Sequence, residues 1–148
     1  MRIYFDTCCY NRPFDNLSNE RIHLESEAIL SLIKRVNREK GEIVGSDVLQ
    51  LEIGKISDID KLKKVRNLYN VATIVIPYSE QILARSKEIQ KMVNIRSYDA
   101  LHIASAEMAE VDVMLTTDDK LERACMGVQL KIKVSNPIKF FMEVMNDE

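Results

Sequence analysis

Apolar and polar positions along this chain alternate between two periods, and the switches between them mark its elements. Ile3-Tyr4-Phe5 is a short apolar run that ends at Asp6, the pattern of a buried first strand. After the loop Asn11-Arg12-Pro13-Phe14-Asp15-Asn16, Ser18 is placed to cap a long helix. Ile22, Ile29, Leu32, Ile33 and Val36 then recur at helical spacing, and Gly41 is expected to stop that helix. Ile43-Val44-Gly45 reads as a second strand. Ser46 caps a helix carrying Val48, Leu49, Glu52, Ile53 and Ile56, and Asp58 starts another with Ile59, Leu62, Val65 and Leu68 on one face. Thr73-Ile74-Val75-Ile76 is β-branched and closed by Pro77.

The second half repeats the alternation. Ser79 to about Val93 is helical with a weaker stripe, and Ser97 opens an alanine-rich helix through Ala109. Val113-Met114-Leu115-Thr116 is a strand, followed by a short helix and then by Ile132-Lys133-Val134. Asn136-Pro137 supplies the cap and first position of a final helix. Strands alternating with helices predict a parallel sheet covered on both faces, an α/β fold in one domain over residues 1–148. No repeat, linker or low-complexity tract interrupts it.

Composition fits that picture. A chain of 148 residues with 46% hydrophobic and 30% charged residues is long enough for one core, and only 4 Gly and 3 Pro leave little room for structureless loops. The formal net charge of -2 is not that of a protein holding nucleic acid by bulk charge, so such a substrate would need a local basic patch or bound cations. Three Cys, two of them adjacent at Cys8 and Cys9, imply no disulfide framework and point to a reducing cytoplasm. The opening residues reach Asp6 before any long apolar run, which predicts no signal peptide, and no stretch approaches the roughly 18 apolar residues of a membrane span.

The candidate chemistry is acidic. Ligands of open parallel sheets gather outside the carboxyl ends of the strands, where the strand order reverses. Asp6 ends the first strand there, and Asp118 follows the Val113–Thr116 strand by two residues. Buried strand ends rarely carry an unpaired acid, and no Lys or Arg neighbours Asp6 in the chain. Glu52 shares a helix face with Val48, Leu49, Ile53 and Ile56, where a carboxylate costs desolvation unless it is paired, binds a cation or reaches water at the stripe's edge. Asp99 and Asp118 also have structural readings, as a first-turn acid favoured by the helix dipole and as a helix cap. Several carboxylates brought together repel one another, and hard divalent cations such as Mg²⁺ or Mn²⁺ relieve that repulsion. Two such ions about 4 Å apart activate a water and stabilise a leaving oxygen, with no Ser, Cys or His nucleophile.

The four acids and their contexts resemble the PIN-domain family. The resemblance rests on "YFDTCCYNRPFD" around Asp6, "SDVLQLEI" around Glu52, and "SYDALHIASAEMAEVDVMLTTDDKL" around Asp99 and Asp118, in the family's order from Asp6 to about Leu121. It implies a three-layer α/β/α sandwich with a parallel central sheet, in which Asp6, Glu52, Asp99 and Asp118 are both metal ligands and catalytic residues. It further implies Mg²⁺- or Mn²⁺-dependent cleavage of RNA phosphodiester bonds. Many relatives are VapC-like toxins neutralised by an antitoxin protein, and many are homodimers. By the same resemblance Thr116 orients the acidic loop, and Asp119 supports or substitutes for Asp118.

Other residues carry open alternatives. Asn11 and Arg12 follow Asp6 in a loop where Arg12 can meet a phosphate or form a salt bridge. Cys8, Cys9, His23 and His102 lack zinc-ligand spacing, so the cysteines are expected to pack behind the site; His102, one turn after Asp99, is within reach of the site, but a satisfied, partly buried histidine is the favoured reading. The basic run Lys61, Lys63, Lys64 and Arg66 reads as a solvated helix face. The competing reading is a catalytically silent PIN-like module that binds RNA or protein. A haloacid-dehalogenase-like phosphatase would need an acid where Cys8 stands, and a Rossmann domain its glycine-rich loop.

Overall fold

The computed structural model describes residues 1–147. Five strands, β1 (Arg2–Phe5), β2 (Glu42–Ser46), β3 (Ile74–Ile76), β4 (Val113–Leu115) and β5 (Lys133–Ser135), form one parallel sheet in the order β3-β2-β1-β4-β5. The chain builds outward from β1 to β2 and β3, then returns to the other side of β1 for β4 and β5. The strand order therefore reverses beside β1, and Asp6 stands at that strand's carboxyl end.

Burial explains why the inner strands read as unbroken apolar runs. Ile3, Tyr4, Phe5, Val113, Met114 and Leu115 are each 0% exposed, because helices cover both faces of the sheet. The edge strand β3 is less covered, and its Val75 is exposed. Among the described residues eight helices flank the sheet: α1 (Thr7–Asn11), α2 (Glu20–Arg38), α3 (Asp47–Ile53), α4 (Ile59–Tyr69), α5 (Glu80–Met92), α6 (Ser97–Met108), α7 (Asp119–Cys125) and α8 (Pro137–Asn146). Helix α2 packs on α8, and α6 on α5 and α3, giving the three-layer α/β/α architecture. Among the described residues no helix is long and apolar enough to cross a membrane.

Local chemistry accounts for most boundaries. Ser46, Asp58, Ser79 and Asn136 accept bonds from the first-turn amides of α3, α4, α5 and α8. Three expectations change. The cap of α2 is Asn19, which accepts from the Ile22 amide, while Ser18 turns back to Asn16. The stretch after Asp6 is not all loop, since α1 and a 3₁₀ turn (Arg12–Phe14) occupy it. Helix α2 ends with Lys40, not Gly41, in the left-handed region at φ 56°. Gly41 is needed for another reason: a Cβ there would lie 2.5 Å from the Met1 carbonyl oxygen.

Gly45 serves a similar close approach. The Tyr69 hydroxyl lies against it and accepts from the Ser46 amide at 3.1 Å, and a Cβ at Gly45 would sit 2.2 Å from that oxygen. Gly45→Ala must expel the Tyr69 ring and break this bond. The expected cost is about 2 kcal/mol, read as a lowered urea midpoint at unchanged m-value.

Candidate metal centre

Asp6 is positioned by two elements at once. As it leaves β1 its backbone N–H donates a hydrogen bond to the Leu115 carbonyl of β4 at 2.9 Å, and its own carboxylate caps α1 by accepting from the Thr7 amide at 2.8 Å. The other oxygen, Oδ2, accepts from the Thr116 hydroxyl at 2.8 Å. The residue is 6% exposed, and among the described residues no Lys or Arg pairs with it. Its one basic neighbour among the described residues is His102, whose Nε2 lies 3.7 Å from Oδ1, and a buried carboxylate held otherwise by neutral donors is a costly arrangement unless a cation joins it.

Glu52 reaches the same place from the last turn of α3. Its side chain is half-buried, not submerged in the stripe of Val48, Leu49 and Ile53, so the stripe-edge reading holds in part. Its Oε1 accepts a short hydrogen bond from the Thr7 hydroxyl and another from His102 Nε2 at 2.9 Å. Burial alone would raise the Glu52 pKa, but the bonds from His102 and Thr7 bring it below the usual carboxylate range.

Asp99 and Asp118 combine their structural roles with a place in the cavity. Asp99 lies in the first turn of α6 and is buried. Burial and the Asp6 charge push its pKa up against the opposing pull of Arg96. Asp118 caps α7 with Oδ1, which accepts from the Lys120 and Leu121 amides at 3.0 and 3.1 Å. Its Oδ2 lies 3.8 Å from Arg96 Nη2, and its side chain is 38% exposed. All four acids line one cavity of about 310 Å³, together with Thr7, Cys8, Asn11, Lys55 and Arg96. A larger cleft of about 730 Å³ lies between α5 and α6, but its buried acid Glu107 is already paired with Arg85.

The supporting residues divide. Thr116 holds Asp6 and also accepts from the Asp118 amide at 3.2 Å, linking the two strand ends. Asn11 lines the cavity. Arg12 does not: its guanidinium pairs with the fully buried Glu25 at 2.9 Å and with Asp15 at 3.1 Å, which leaves it committed away from a phosphate. Asp119 is drawn off by Arg21, which grips both its oxygens at 2.7 and 2.6 Å, so Asp118 is the acid that faces the cavity. Cys9 packs behind the site against the Leu115 carbonyl, as expected, whereas Cys8 lines it.

His102 meets both of its sequence readings, a satisfied histidine and one within reach of the site, and it is more deeply buried than expected. It is 0% exposed, its Nδ1 is 2.7 Å from the Tyr4 hydroxyl, and that hydroxyl is 2.7 Å from Ser46 Oγ. Donor atoms of Asp6, Glu52 and His102 all lie within 4.8 Å of one another. The histidine is thus satisfied and also touches the site. The signal for it was its place one turn after Asp99, but nothing local to α6 reveals that Glu52 arrives from α3.

Comparison with known proteins follows the same line. The sequence profile of the PIN domain matches residues 3–126. No curated protein matches the sequence. Among solved structures, VapBC2 from Rickettsia felis, bound to a DNA fragment from its promoter, is similar at TM-score 0.61 and 15% identity, covering 92% of this chain and 98% of that one. A toxin-antitoxin complex from Klebsiella pneumoniae is similar at TM-score 0.57 and 18% identity, covering 88% and 94%. VapBC-1 from nontypeable Haemophilus influenzae is similar at TM-score 0.58 and 15% identity, covering 93% and 98%. At such identities the likeness is one of fold.

Proposed function

From the premise that this chain belongs to the PIN-domain family, we propose that it is a divalent-metal-dependent endoribonuclease, the toxin of a toxin-antitoxin pair. The observation that carries this reading is Asp6, a buried carboxylate without a Lys or Arg partner among the described residues, in one cavity with Glu52, Asp99 and Asp118. That donor set fits a hard divalent cation: it is rich in carboxylate oxygen, partly desolvated and self-repelling.

Asp6, Glu52, Asp99 and Asp118 are the residues that would hold Mg²⁺ or Mn²⁺. Such a cation supplies an activated water and relieves charge at the leaving oxygen of a phosphodiester. The protein's own part is orientation. Thr116 fixes Asp6, while Thr7 and His102 fix Glu52, so the carboxylates face the cavity before anything binds. No side chain need act as nucleophile. Lys55 and Arg96 at the cavity, and Lys120 beside it, supply the local positive charge that a chain of net charge -2 otherwise lacks.

RNA as substrate is supported by the family resemblance. An antitoxin partner is supported by the fold shared with the toxin-antitoxin complexes, and a homodimer by the resemblance. The free cysteines accord with a cytoplasmic protein. The test is a single-turnover assay on single-stranded RNA. Cleavage is expected with Mn²⁺ or Mg²⁺ and none after chelation, with recovery on adding the metal back. Cleavage that survives chelation would overturn the mechanism.

A further inference from the structure

The four acids are not equally free to accept a cation. Asp6 and Glu52 take their hydrogen bonds from an amide, hydroxyls, a thiol and an imidazole. Asp99 and Asp118 are instead joined by one guanidinium. Arg96 Nε lies 3.1 Å from Asp99 Oδ2, and its Nη2 lies 3.5 Å from Asp99 Oδ1 and 3.8 Å from Asp118 Oδ2. The Arg96 side chain is 76% exposed and does not cap α6, so its reach into the cavity mouth is set by these two acids. The hydrogen bond with Asp99, followed by the Asp99 charge, holds the Arg96 pKa above its ordinary value.

We propose that Arg96 is a displaceable counter-ion that competes with a divalent cation for Asp99 and Asp118. The inference rests on the metal-dependent reading given above. A guanidinium fork and a divalent cation seek the same carboxylate oxygens, and their like charges oppose sharing them. Exposed ion pairs are weak, so the guanidinium can be released when a better cation arrives. The Asp6–Glu52 side holds no guanidinium or ammonium among the described residues; its basic neighbour is the fully buried imidazole of His102, 2.9 Å from Glu52 and 3.7 Å from Asp6. Metal affinity is therefore set partly by the cost of moving Arg96.

The test is Mn²⁺ binding without RNA, followed by calorimetry and by the electron paramagnetic resonance signal of free Mn²⁺. Arg96→Gln is expected to tighten Mn²⁺ binding by about tenfold, the ratio that corresponds to about 1.4 kcal/mol. Lys120→Gln is the control. It removes the same charge from a residue lining the adjoining cavity with Asp99 and Asp118, yet Lys120 forms no ion pair among the described residues. Its effect is expected to be about twofold or less. In the wild type, adding diamagnetic Mg²⁺ should also shift the Arg96 Nε–H resonance. Equal affinity in Arg96→Gln and wild type, or equal tightening by both variants, would overturn the proposal while leaving the nuclease reading intact. No Mn²⁺ binding by any of the three proteins would overturn both. Circular dichroism checks that the variants are folded, as exposure of both side chains predicts.

Discussion

Asp6→Asn is expected to reduce RNA cleavage by about a thousandfold or more while the protein stays folded and becomes no less stable. The two halves of this expectation have one cause. Asp6 is buried without a Lys or Arg partner among the described residues, with His102 and Glu52 nearby and its charge felt at Asp99. Its negative charge is therefore a burden on the folded protein and an asset only to a bound cation. Asn keeps the shape and one acceptor for Thr7 or Thr116. The loss in rate corresponds to about 4 kcal/mol of transition-state stabilisation, whereas the thermal midpoint should stay level or rise by a few degrees, roughly 1 kcal/mol. Single-turnover cleavage and a melting curve on the same preparation read both. A variant that cleaves at the wild-type rate would remove Asp6 from the site, and one that unfolds would make its role structural.

The second large effect lies outside the cavity. Glu25 on α2 is 0% exposed and accepts from Arg12 Nε at 2.9 Å, Arg21 Nε at 3.3 Å and Asn136 Nδ2 at 2.8 Å. It ties α2 to the 3₁₀ turn and to the start of α8. Arg21 then continues to Asp119 and to the Thr117 carbonyl, which flank Asp118. Glu25→Ala leaves three donors without their shared acceptor and opens a space behind them. The expected destabilisation is about 3–5 kcal/mol, which for a chain of this size lowers the thermal midpoint by about 10 °C. Glu25→Gln preserves part of the geometry and should cost less than half as much. Urea denaturation of both variants checks this. A loss under about 1 kcal/mol in Glu25→Ala would show the network to be solvated in solution.

These two residues also mark what could be read from the sequence. The alternation of strand and helix, the caps Ser46, Asp58 and Asn136, and the strand ends carrying Asp6 and Asp118 are local signals, and they survive in the structure. Parallel topology dictates where strand ends point, which reaches Asp6 and Asp118; Glu52 and Asp99 lie on helices α3 and α6, and the set of four was brought together by the family resemblance. Glu25 left no such trace. An acid within a helix that also carries exposed charges looks solvated until Arg12 and Asn136 are seen to close over it. For Arg12 the sequence left a phosphate contact and a salt bridge open, and the structure gives the salt bridge, with Glu25 13 residues away; the pairing of Asp119 was not legible, since Arg21 lies 98 residues away in sequence. The short helix α1 was hidden because its cap is Asp6, a residue that also ends a strand.

The reversal of strand order beside β1 has a consequence for the chain as it is made. Asp6 and Glu52 lie before β3, whereas Asp99 and Asp118 come after it, and β4 must insert against β1 before the cavity has its second pair of acids. A polypeptide that has emerged from the ribosome only as far as β3 holds half of the acids and no cleft. On the nuclease reading proposed above, a nascent chain that ends at β3 lacks half of the metal site, so activity requires the chain through Asp118 and the pairing of β4 with β1.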